Sequence, residues 1–294
     1  MRAGPLVVAI FSRLAISLAL IAVLLFSQTV VAAPAGLPSR RPQPKPLAPN
    51  KADTSRAARA DAIKSLPLDQ LSAAARKKIV DVVNKASVFR RSPVHVGTCD
   101  PEMYLFLLRH PDVLVNIWEV MGISNVALKR TGKATFRAAD GAGTLCNVEY
   151  LFGDQKKHVI YAEGSYEGPV FKKPIRAKCV LIVRSGYIRS PDGQIHVTSR
   201  LDTFIKIENL AVELLVMTFQ PMVGAASDTN FSETAAFISR VSRTAERNPA
   251  GMRRLAEKLS KLTPEVREKF AGLSIKVGER AVQRRVAARQ VTKK

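Results

Sequence analysis

Two long strand patterns, at 177–189 and 194–207, joined by the turn Ser190-Pro-Asp-Gly193, constrain the fold more than any other stretch. In the second, Ile195, Val197, Leu201, Ile205 and Ile207 fall on one face; His196, Thr198, Arg200, Asp202 and Lys206 fall on the other. That is the period-2 alternation of a strand with one face in a core. A slip of one residue would invert both faces, so the hairpin has one register. Three further strand patterns precede it, at 134–138, 144–152 and 158–166, with turns at Asp140-Gly141 and Gly153-Asp154. Consecutive strands with short turns make an antiparallel meander of about five strands.

Helical sequence lies on both sides of the meander. Residues 68–86 place Leu71, Ala75, Ile79, Val82, Val83 and Ala86 on one face and Arg76, Lys77 and Lys78 opposite, an amphipathic helix suited to a core or to a membrane surface. Asp100-Pro-Glu-Met103 reads as a helix start, with Asp100 as N-cap, Pro101 in the first turn and Glu102 at the positive end of the dipole. The helix breaks at His110-Pro111 and restarts at Asp112 towards Gly122. After the meander, residues 208–220 are apolar on most sides and end at Pro221; Asp228 then caps a helix with the stripe Phe231, Ala235, Ile238, Val241 and Ala245. Asn248-Pro249 and Thr263-Pro264-Glu265 open two more, the last strongly basic, weakly apolar and frayed at its end. The fold class is α+β: a meander packed on a long helix, with extra N- and C-terminal helices.

The two ends carry addresses. Residues 1–33 combine Arg2 and Arg13, an apolar run from Leu14 to Phe26 and a small-residue exit at Ala32 or Ala35, the layout of a secretory signal peptide. An uncleaved membrane anchor is the other reading of the same run. Residues 34–62 are a Pro- and Arg-rich linker, 63–247 the α+β domain and 248–294 a basic helical tail. Export places the protein in the periplasm, the cell envelope or outside the cell. A formal net charge of +22 then points to an anionic membrane or cell-wall surface as partner. Nucleic acid is disfavoured by export, and by an aromatic content of 6%, which leaves no stacking platform. Cys99, Cys146 and Cys179 leave either one bridge with a free thiol, Cys146–Cys179 being the first pair to test, or three buried thiols.

The order of elements resembles the helix-grip fold of the START-like group, which includes polyketide cyclases and carriers of lipids and aromatic molecules. The resemblance runs over roughly 100–247. It is carried by Asp100-Pro-Glu-Met-Tyr-Leu-Phe-Leu-Leu-Arg-His-Pro-Asp-Val-Leu-Val-Asn-Ile-Trp118, by Asp140-Gly-Ala-Gly143 leading into a strand, and by the closing hairpin with its following helix. It implies a cavity between the concave sheet face and the long helix, holding a lipid or other apolar small molecule. The apolar segment at 208–220 and the helices after 247 depart from the pattern.

No catalytic signature stands out. The four histidines are scattered, neither His-Glu-x-x-His nor paired Cys-x-x-Cys occurs, and no Gly-x-Ser-x-Gly elbow is present, so neither a cofactor nor a metal is expected. Gly141-Ala-Gly143 precedes a strand and so forms a turn, not a phosphate cradle. Candidate ligand contacts are the amphipathic aromatics Trp118, Tyr150, Tyr161 and Tyr166, with His196, Arg200 and Asp202 as a polar row on one strand face. That row either orients a polar head or moves a proton in a cavity, or it is a charged solvent face. Three functions compete on this reading: a non-catalytic carrier, a cavity enzyme of cyclase or hydrolase type using His196 and Asp202, and a structural adaptor whose basic helices bind an acidic partner.

Overall fold

The computed structural model describes residues 51–167, 174–208 and 210–291, and of residues 210–223 and 288–291 the backbone alone. The signal peptide expected at 1–33 and most of the linker expected at 34–62 lie outside the described residues. The strands are β1 (Val88–Arg91), β2 (His95–Thr98), β3 (Ala127–Arg130), β4 (Thr135–Ala139), β5 (Thr144–Gly153), β6 (Lys157–Tyr166), β7 (Ile175–Arg189) and β8 (Ile195–Ile207). The α-helices are α1 (Arg56–Lys64), α2 (Ala73–Asn84), α3 (Pro101–Arg109), α4 (Pro111–Val120), α5 (Leu210–Arg247), α6 (Pro249–Lys258) and α7 (Pro264–Val291). The chain is thus α+β, with one antiparallel sheet in the order β1-β8-β7-β6-β5-β4-β3 and β2 also paired to β8.

The β7–β8 hairpin is the spine. Its ladder runs from Ala177 opposite Ile207 to Arg189 opposite Ile195, with the two faces of β8 as the alternation requires. Gly193 closes the turn at φ +77°, donating its N–H to the Ser190 carbonyl at 2.8 Å, a backbone shape that a side chain would strain. Three short strands escape the sequence pattern. Four residues show too little alternation to read, and β1 and β2 exist only because the long β8 offers an edge for both.

Both faces of the sheet are covered. On the inner face α3, α4, α5, α6 and α7 build the larger core, with Met103, Leu114, Ile117, Ile238, Phe270 and Val277 packed together with Cys179 and Ile205. On the outer face α1 and α2 lay Ala58, Ala62, Ile79, Val82 and Val83 over Val159, Val180, Ile182 and Phe204. Each fully buried aliphatic contributes roughly 1.5–3 kcal/mol of transfer free energy. Lys206–Asp81 at 2.7 Å and Lys78–Glu149 at 2.6 Å pin α2 to the sheet.

Several expectations change here. The linker reading of 34–62 fails from Ser55 onward: its hydroxyl accepts from Ala58 N at 3.1 Å, caps α1, and turns Ala58 and Ala62 inward. The tail expected at 248–294 is not separate from the domain over its described core positions, since Met252, Ala256, Leu259, Phe270, Leu273 and Val277 belong to the main core. Pro221 does not end a helix, and Asp228 does not cap one. The backbone of α5 is helical throughout 210–247, and Asp228 instead takes a two-bonded ion pair from Arg90 of β1. Asp100 caps α3 as expected, its carboxylate accepting from Glu102 N at 3.0 Å and Met103 N at 3.1 Å. It also accepts two 3.0 Å bonds from Arg280, which locks α7 onto the start of α3.

The cysteines are three free, buried thiols. Cys146 faces Gly164 across β5–β6 and Cys179 faces Ala162 across β6–β7, so the pair lies two strands apart. Two strand spacings are about 9–10 Å, beyond the roughly 7 Å limit for a bridge. Burial pushes the Cys99 and Cys146 thiols up to about 12 and raises Cys179 well above its ordinary value, which leaves none as a thiolate nucleophile at neutral pH.

Candidate functional site

Between the inner sheet face and the helices lies an apolar cavity of about 90 Å³. Its floor alternates along the strands: Phe136 of β4, Val148 and Tyr150 of β5, Ile160 and Ala162 of β6, Leu181 and Val183 of β7, Ser199 and Leu201 of β8. The roof comes from Tyr104, Leu107 and Leu108 of α3, Leu114 of α4, and Phe231, Thr234, Ala235 and Ile238 of α5. Small side chains on both walls, Ala162 and Ala235, leave the gap that larger ones would fill. A single water needs roughly 10–15 Å³, so the space exceeds one water several-fold.

Polar atoms in this lining are few and already engaged. Tyr104 Oη and Ser185 Oγ share a 2.8 Å hydrogen bond, Tyr150 Oη donates to the Leu108 carbonyl at 2.9 Å, and Thr234 Oγ1 donates to the Asn230 carbonyl at 2.8 Å. Burial raises both phenols above their ordinary value, so they remain neutral hydroxyls. Among the described lining residues there is no His, Cys, Asp, Glu, Lys or Arg. Such a wall favours an apolar group by desolvation, and the described lining residues include no general base. Among the described residues, no group of three or more His, Cys, Asp or Glu side chains is placed to hold a metal ion.

The sequence-derived candidates scatter across the molecule. Tyr150 lines the cavity. Trp118 is buried in α4, edge-on to the Phe237 ring at 5.6 Å, and Tyr166 is buried at the far end of β6 beside Gly143. Neither is part of the lining. Tyr161 points to the outer face, because it is one residue out of phase with Ile160 and Ala162; its hydroxyl donates to Glu163 at 2.8 Å. His196, Arg200 and Asp202 also sit on that outer face, opposite Leu201 and Ser199. His196 Nδ1 lies 3.3 Å from Thr98 Oγ1. Asp202 is wholly buried beneath α1 in a network with Arg91 and Arg184, so the row is neither a cavity wall nor, at Asp202, a solvent face. The cavity-enzyme reading loses both of its named residues. α3 supplies three of the walls that sequence reasoning did not single out, at positions that looked like ordinary core.

His158 is the other unforeseen group. It is buried on the inner face two residues before Ile160, and its Nε2 accepts from Arg109 Nε at 3.3 Å. Among the described residues its Nδ1 meets no hydrogen-bond partner. Burial, aided by the Arg109 charge, pushes its pKa down to about 4 from 6.5. The unfolded chain therefore binds a proton that the folded one refuses between those two values. Stability is expected to be flat above pH 6.5 and to fall by about 3 kcal/mol as pH drops from 6.5 to about 4. Urea unfolding at stepped pH reads this slope directly. His158→Gln, which keeps an acceptor for Arg109, should abolish it, and an unchanged slope in that variant would assign it to other groups.

No family model matches the chain, and no curated protein matches it in sequence. Solved structures similar to it include an uncharacterized protein from Rhizobium leguminosarum, 12% identical, with a TM-score of 0.31 over 52% of this chain and 97% of that one. A hypothetical protein from Helicobacter pylori is 11% identical, with a TM-score of 0.30 over 48% and 84%. Ara h 8.0201 is 12% identical, with a TM-score of 0.19 over 46% of this chain and 96% of that one. At these scores the likenesses carry no argument.

Proposed function

We propose that the protein is an exported, non-catalytic carrier of a lipid or other apolar small molecule, START-like in its use of a helix-grip cavity. Its positive charge holds it against an anionic membrane or cell-wall surface. The observation that carries this reading is the cavity between the inner sheet face and α5, lined almost wholly by hydrocarbon. A void of that size costs stability when empty, at ~24 cal/mol per Å³ about 2 kcal/mol, and an apolar occupant recovers it. The formal charge of +22 supports the surface half of the proposal, since each near-surface Lys or Arg adds about 1 kcal/mol at an anionic membrane.

Native mass spectrometry on the exported protein, purified without detergent, tests the reading. The expected result is a complex with an apolar molecule that organic extraction removes and a fatty acid or sterol restores. A spectrum of unliganded protein alone, with no uptake of either probe, overturns it. Vesicle flotation tests the surface half separately, with binding expected to anionic but not to zwitterionic vesicles and to weaken steeply with salt.

A further inference from the structure

Under α1, on the sheet face away from the cavity, four cations meet two carboxylates. Lys157, Arg184 and Arg200 stand directly across from one another on β6, β7 and β8, and Arg91 of β1 faces Asp202. Like charges in direct cross-strand register repel, so this arrangement needs anions. Two are supplied by the chain, Asp202 and Asp61. Four positive and two negative groups leave an excess of +2.

The two carboxylates are unequally placed. Asp202, fully buried, accepts from Arg91 Nε at 2.6 Å and Nη2 at 3.1 Å, and pairs with Arg184 at 3.0 Å. Asp61, on a nine-residue helix and 53% exposed, takes Arg91 at 2.6 Å and Arg184 at 3.0 Å but lies 3.9 Å from Arg200. Among the described residues Arg200 thus has no carboxylate within hydrogen-bond distance. Among the described residues the Nε groups of Arg184 and Arg200 are buried without a hydrogen-bond partner. Burial, and then the nearby Arg91 charge, make Arg200 a weaker base than a free arginine. Lys157 is held aside on the Ser65 carbonyl, at the C-terminal end of α1.

We propose that Arg200 and Arg184, backed by Arg91, form a binding site for a phosphate-type oxyanion, for which Asp61 is the internal stand-in. Guanidinium forks match the paired oxygens of such a group, and three converging on one exposed carboxylate read as an oxyanion site more than as a structural pair. An arriving oxyanion displaces the exposed Asp61 carboxylate and neutralises the excess that Asp202 leaves uncompensated. The phosphate is a lipid headgroup or a free ion. The site is independent of the carrier reading, because it lies on the opposite face of the sheet.

Thermal unfolding and calorimetric titration with sodium phosphate, against sodium chloride at matched ionic strength, test the site. Wild type is expected to show saturable stabilisation by phosphate beyond that by chloride. Arg200→Gln should keep its unfolding temperature in phosphate-free buffer yet lose the response at least tenfold. Asp61→Asn, which removes the competing carboxylate, should bind phosphate several-fold tighter; a merely structural network would give weakened protein with no such gain. Flotation with vesicles containing phosphatidic acid separates the sources: loss of binding in Arg200→Gln assigns the headgroup, and unchanged flotation with lost phosphate binding assigns the free ion. A response to phosphate no greater than to chloride in both wild type and Asp61→Asn, or an equal response in Arg200→Gln, overturns the site.

Discussion

Asp202→Ala is expected to destabilise the protein by about 3 kcal/mol, the lower end of what removing one partner from a buried ion pair costs. The side chain is wholly buried, and it is the main counter-ion of Arg91 and Arg184, whose side chains are only 12% and 22% exposed. Hydrogen bonding to Asp202 is also the largest influence holding Arg91 firmly protonated, so the cation cannot escape by losing its proton. Asp61, more than half exposed, is left to compensate both arginines and is too solvated to do so. Urea unfolding of the single variants and of the double variant Asp202→Leu with Arg91→Met gives the coupling. The double variant should recover most of the loss, because a packed apolar pair has no stranded charge. A loss below about 1 kcal/mol in Asp202→Ala would mean that water reaches the arginines and that the network is a surface feature.

The asymmetry of this network also explains which parts of the fold could be read in advance. The alternation of β8 was legible because one of its faces is polar for most of its length; the faces of Ile195–Ile207 and their register follow from period alone. The coverage of the outer face was harder to read. Its signal is Cys179-Val-Leu-Ile-Val183, apolar on both sides, which marks a strand buried on two faces. Read as part of a half-buried strand, it hides the place where α1 and α2 dock. The stripe Val266, Phe270, Leu273, Val277 and Ala281 on α7 has helical spacing too, but a heavy load of basic residues masks it. Asp228 and Pro221 mislead for a different reason: local propensity gives a break, whereas long-range pairing with Arg90 and continued backbone hydrogen bonding give one helix. Of the candidate site, Tyr150 was legible as an amphipathic aromatic on an inward position. The cavity itself was not, since a void is made by what facing residues lack, here Ala162 and Ala235, and alanine carries no positional signal.

Filling that void is expected to raise stability and abolish ligand uptake together. Ala162→Leu places three more carbons over the middle of the floor, between Val148 and Cys179 in the ladder, and Ala235→Leu does the same from the roof. Each buried methylene is worth about 0.8 kcal/mol, less whatever strain the fit imposes, so a net gain of about 1 kcal/mol is expected for either variant without ligand. Affinity for an apolar fluorescent probe should fall at least tenfold in both, because the added groups occupy the volume that the probe needs. Leu201→Ala moves the two readouts the other way. It enlarges the cavity and costs about 2–5 kcal/mol of stability, yet it leaves room for the probe, which should then stabilise the variant more than it stabilises wild type. Two substitutions from opposite walls guard against local overpacking. If both lower stability while probe binding persists, the space is a packing defect with its neighbours under strain and the ligand sits elsewhere. If both raise stability and binding is lost, the free energy that an empty interior forfeits is what the ligand supplies.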